Sequence, residues 1–215
     1  MRPLLTAASL VAILLASTHC TAAPVSAASA PVDRCAPPTP TARSITSPDA
    51  TTTVYVQEDP TRGDQGAVGD LTHEDLCIVR HGAAPRLLFA GRSTLPDAGV
   101  ETTLADLYDL RFASDGTHVY FTSAAWVVGK ALHEVDLTNG IERFVTDGAL
   151  DLELTRGPFK GDLVVVHFLL DPDHEVTSPE YRGRMVLHFL HTKDGVKVRR
   201  LPEDDAARRK VLSAG

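Results

Sequence analysis

Nine histidines and 28 acidic residues among 215 supply the raw material for metal or acid–base chemistry, and their spacing decides what they can do. His-Glu occurs at His73-Glu74, His133-Glu134 and His174-Glu175. A zinc-protease helix needs a second histidine four residues after the first, so that both imidazoles reach one ion. Those positions hold Cys77, Leu137 and Ser178, and none of the three segments has a helical period, which excludes that chemistry. His167, Asp171, Asp173, His174 and Glu175 gather at the end of a strand-like run. Imidazole and carboxylate ligands suit several divalent ions, so the His167–Glu175 region is where a metal-dependent hydrolase or lyase would work. A solvated loop of turn-forming residues explains the same composition and is preferred, with no metal or other cofactor assigned. His188 and His191, three apart in a strand-like run, fall on opposite faces. His118 and His133 read as strand-surface residues.

Other catalytic signatures do not occur. There is no Gly-x-Ser-x-Gly elbow, no Gly-x-x-x-x-Gly-Lys-Ser/Thr loop and no Gly-x-Gly-x-x-Gly fingerprint. No catalytic residue is assigned, and the chain reads as a non-enzyme. The net charge of −7 argues against a nucleic-acid partner, which calls for a basic surface to replace phosphate counterions. The lone Trp126 is a candidate binding hot spot if exposed, and a core residue if it packs into a sheet.

Compartment follows from the N-terminus. Arg2, the uncharged apolar run Leu4 to Ala16 and the small residues Thr21-Ala22-Ala23 form the three regions of a secretory signal over residues 1–23. Cleavage near Ala22 or Ala23 is preferred; Cys20 stands where a lipoprotein signal places its lipidated cysteine, but His19 departs from the usual motif. Later in the chain no run reaches the roughly 20 apolar residues of a membrane helix. In an oxidising compartment Cys35 and Cys77 form an even pair, and a bridge closing about 42 residues contributes roughly 4 kcal/mol in the loop-entropy picture. The alternative is two free thiols, with Cys77 buried in a strand.

Positioning falls to strands and turns. Residues 24–53 are an Ala/Pro/Ser/Thr-rich linker, 54–201 an all-β domain, and 202–215 a charged, frayed tail. Asp115-Gly116 and Asn139-Gly140 each lie between two strand-like runs, a strong hairpin signal. Phe112, Val119, Phe121, Leu132, Val135 and Phe144 are expected in one apolar layer, with Glu142 and Thr138 outward and tolerant of alanine.

Within Leu107–Gly148, Arg111-Phe112-Ala113-Ser114-Asp115-Gly116, Val119-Tyr120-Phe121 and His133-Glu134-Val135-Asp136-Leu137-Thr138-Asn139-Gly140 resemble the WD40-like repeat of TolB-type propellers. Ala113-Ser114 stands where that repeat usually has Ser-Pro. The resemblance implies one propeller blade and, as a typical use, protein–protein contact. Degenerate flanking runs extend this to about three blade-like antiparallel meanders, too few to close a ring of four or more blades. A partial or open β-propeller, or a sandwich of the same meanders, is expected. The functional expectation is an exported periplasmic or envelope module that binds a protein, possible roles including an inhibitor or immunity protein.

Overall fold

The computed structural model describes residues 34–58, 74–92, 102–125 and 129–214, all within the compact unit Asp33–Gly215. The signal segment, Cys20 and Trp126 lie outside the described residues. Twelve described strands follow in order: β1 (Ser44–Thr46), β2 (Thr52–Glu58), β3 (Glu74–Arg80), β4 (Arg86–Phe89), β5 (Tyr108–Phe112), β6 (His118–Ala125), β7 (Gly129–Asp136), β8 (Glu142–Asp147), β9 (Ala149–Glu153), β10 (Leu163–Leu170), β11 (Arg184–His191) and β12 (Lys197–Arg200). They form three antiparallel sheets, β1-β2-β3-β4, β5-β6-β7-β8 and β9-β10-β11-β12, each from consecutive strands.

Both expected hairpin turns form, with Gly116 at φ +70° and Gly140 at φ +71°, a region that costs an L side chain 1–2 kcal/mol. The first sheet opens on a turn of the same build. Asp49 Oδ1 accepts the Thr51 N–H at 3.1 Å as Asp115 Oδ1 accepts that of Thr117 at 2.7 Å, and Ala50 (φ +56°) stands in the place of Gly116. The folded unit therefore begins well before Val54, and the stretch expected as linker contributes β1. The tail expected to fray is instead α1 (Asp205–Ala214). Its Val211 and Leu212 pack on Val164, Leu190 and Leu201 of the third sheet, an apolar face that charge-rich composition concealed.

Two apolar layers separate the three sheets. Val54, Val56, Leu76 and Ile78 meet Val119, Phe121 and Val135 between the first and second, with Phe112 at the margin. Leu132 departs from that layer: it faces the third sheet beside Tyr120, Val145, Leu163 and Val165, because strand residues alternate between faces. The other side of the first sheet is covered by the segment before β1, where Cys35 is bonded to Cys77 beside the buried Tyr55.

One joint recurs between neighbouring sheets. Arg86 donates to the Leu137 carbonyl, and Gly140 presses so close to the Leu88 carbonyl that a Cβ would lie 2.5 Å from its oxygen. Correspondingly, Arg143 donates to the Lys193 carbonyl, and a Cβ on Gly195 would lie 1.9 Å from the Val145 oxygen. An arginine and, two residues later, a bare carbonyl thus receive the glycine turn of the following sheet each time. Gly82, in the equivalent turn of the first sheet, has nothing within 4 Å of its Cβ position.

Candidate functional site

Three polar groupings and one surface are candidates. The first is internal. On β6, Ser123 Oγ lies 3.0 Å from Nε2 of His133 on β7, whose Nδ1 is 2.6 Å from Glu142 Oε1 on β8; Arg92 donates to Oε2 at 3.0 Å. This order of hydroxyl, imidazole and carboxylate is that of a nucleophile relay. Ser123 and His133 are fully buried, however, with Phe121 stacked on the imidazole and Phe144 against its edge, so no substrate reaches Oγ. The group serves as a polar cross-tie through three strands. His133 is therefore not the surface residue expected, and Glu142 is not a free outward carboxylate. Alternation told which face each occupies, but the neighbouring sheet decides whether that face sees water.

Burial opposes ionisation of Glu142, but the bonds from His133 and Arg92 outweigh it and hold the carboxyl below its ordinary range. Glu142→Ala strands a buried imidazole N–H and is expected to cost about 1–3 kcal/mol. Thr138→Ala, at an exposed turn, should change little. Urea midpoints of the two variants test this, and equal small shifts would remove the cross-tie from the account.

The second grouping pairs His167 with His191. The register aligns Leu163 with His191 and Leu187 with His167, so the two rings run toward each other over Val165 and Phe189. Their Nε2 atoms are 3.1 Å apart, and the rings are nearly parallel at 13° with centroids 5.2 Å apart, an edge-to-edge N–H···N contact. His191 Nδ1 donates to the Gly195 carbonyl at 2.9 Å; in the neutral pair this assigns the bridging hydrogen to His167. Burial, then the neighbouring charges of His191 and Lys197, pull His167 down to about 4, and burial also lowers His191.

These shifts give stability a defined pH dependence. The unfolded chain takes up the His167 proton near 6.5 and the folded chain only near 4. The His167 contribution to stability is complete above pH 6.5, falls as pH drops, and levels off below about 4, a loss of about 3 kcal/mol from this group. Urea midpoints in chelator-containing buffer from pH 7 to 4 should show this slope, flattened in His167→Gln. An unchanged slope in that variant would contradict the assignment.

The third grouping surrounds Asp171. Burial opposes its charge, but backbone N–H groups of Arg182 and Asp173 and the His174 imidazole hold the carboxyl well below its ordinary range. Asp173 turns away to Arg200 at 2.7 Å. His167 faces His191, so the His167–Glu175 region does not converge on one point. Among the described residues, no three metal-binding side chains come together.

The surface candidate is the third sheet. Of the six large apolar side chains standing exposed among the described residues, five are Leu170, Val176, Val186, Val196 and Val198; the sixth is Ile141. Between Arg182 and Gly215 nine basic residues face four acidic ones, in a chain whose net charge is −7. Composition averaged over the whole sequence hides this reversal. A window over the last 34 residues would have found it.

Two solved structures share part of this arrangement. The chain is similar to TolB from Acinetobacter baumannii, at 13% identity over 72% of this chain and 31% of that one, with a TM-score of 0.43. It is also similar to the Pyrococcus horikoshii acylaminoacyl peptidase, at 10% identity over 72% of this chain and 24% of that one, with a TM-score of 0.42. It thus spans less than a third of the length of either. No protein-family model matches the sequence, and no curated protein matches it. The chain's own strand order, three successive four-stranded antiparallel meanders, is that of consecutive propeller blades, and the middle one carries the residues that resemble the TolB-type repeat.

Proposed function

We propose that this chain is an exported module of the periplasm or cell envelope that binds another protein. The observation that carries the reading is that five of the six large apolar side chains exposed among the described residues belong to the third sheet or its loops. Apolar residues scattered singly over a surface need no explanation, whereas a concentrated patch rimmed by charge marks an interaction surface. The N-terminal signal pattern and the Cys35–Cys77 bridge support an oxidising destination. The repeat resemblance supports protein contact in the same sense.

The test is capture from the native envelope fraction by purified wild type and by a Val186→Asp/Val198→Asp double variant of unchanged melting temperature. One stoichiometric protein held by the wild type and lost by the variant is expected. Equal recovery by both, or none by either, would overturn the reading.

A further inference from the structure

We infer that the partner docks as an extended acidic segment added to the free edge of β12. This inference rests on the proposed binding function and names the surface and the partner's chemistry. In the third sheet β12 pairs only with β11, on one side. The corresponding outer strands β4 and β8 each receive a turn from the following sheet, through Gly140 on Leu88 and Gly195 on Val145. No described sheet follows β12. All four of its residues, Lys197 to Arg200, are exposed, with Val198 half exposed at 50% and the preceding Val196 at 62%.

An outer strand of this kind presents a row of backbone donors and acceptors that an extended chain can complete. Shortness, a bulge at Leu190/His191 and basic side chains are the usual defences against such pairing. Those defences are selective. Lys193, Lys197 and Arg199 repel a second copy of the same edge but attract a strand of opposite charge. Arg200 is already matched by Asp173 and Glu203, so the uncommitted charge lies on Lys193, Lys197 and Arg199, with Asp194 the nearby acid. Lys197 lies over the Phe189 ring and Arg199 over Phe159, which anchors their stems and fixes the charges beside the edge. The bulge pairs Lys197 with His191 and Arg199 with Leu190, so the two charges stand on opposite faces of the edge. The matching occupant carries acidic residues on both of its faces.

The probe is a blocked eight-residue peptide of repeated Glu-Glu-Val-Val, which shows glutamate on both faces, with its lysine counterpart as control, titrated against the intact mature chain. The acidic peptide should bind and the lysine peptide should not, with backbone amides of residues 197–200 gaining protection from hydrogen exchange. A Lys197→Glu/Arg199→Glu variant, checked for an unchanged thermal transition, should lose at least about tenfold in affinity for the acidic peptide. Should that variant be destabilised, the exchange pattern of the wild type decides alone. Binding without protection at β12 means adsorption by charge and overturns the inference, as does no binding. In envelope capture, a partner retained by the charge-reversed variant would sink the β12 assignment and leave the binding function standing.

Discussion

Replacing Gly195 by alanine is expected to lower stability by about 2–5 kcal/mol, the sum of a left-handed backbone cost and a core-like overlap. Its φ is +86°, and the added Cβ would lie 1.9 Å from the Val145 carbonyl oxygen. Backbone occupies the contested space, so the conflict is relieved only by moving the third sheet off the second. Gly82→Ala is the internal control. It carries a similar φ of +74° but meets nothing within 4 Å, so only the conformational cost of about 1–2 kcal/mol remains. Urea denaturation of both variants separates the terms. Equal midpoints would show that the Gly195 turn is not seated against β8.

Opening the Cys35–Cys77 bridge is the second large perturbation. The bond closes 42 residues and ties the N-terminal segment across the first sheet. Loop closure alone gives about 4 kcal/mol, a large share of a typical domain's stability. The segment is also held by the Tyr55 hydroxyl on the Ala36 carbonyl at 2.5 Å and by Ala36 N–H on Gln57 at 2.7 Å. Those bonds alone do not restore a cover over Tyr55. Cys35→Ser/Cys77→Ser, and wild type in reductant, should therefore melt together and well below the oxidised protein. Non-reducing peptide mapping should find the two peptides linked. An oxidised and a reduced sample with one transition temperature would count against the bridge.

The middle sheet was the most legible part of the sequence, because Asp115-Gly116 and Asn139-Gly140 are turn signals that neighbours do not alter. In the first sheet only β1 and the turn after it were hidden. Ser47-Pro48-Asp49-Ala50-Thr51 has the same turn chemistry, but Ala50 replaces the glycine and the segment lies in low-complexity surroundings. α1 escaped notice because only one short apolar stripe, ending in Val211 and Leu212, faces the protein. The polar groupings needed tertiary information. Ser123, His133 and Glu142 meet across strand register, and His167 finds His191 only through the eight-pair alignment of β10 with β11. Spacing along the chain carries neither relation.

The twice-used joint bears on how copies of this molecule keep apart. Arg199 follows Gly195 by four residues, as Arg86 follows Gly82, so among the described residues the third sheet holds a donor half and the first sheet an acceptor half, each without its complement. Such halves on different copies form a heterologous contact, which closes into a ring when its rotation permits and otherwise runs on as a fibre. The Cys35 segment lies over one terminal sheet and α1 over the other. These two coverings occupy faces on which a further sheet would otherwise stack, the place that capping repeats hold in solenoids. Trimming α1 is therefore expected to promote association between copies, read as a rise in apparent mass in solution.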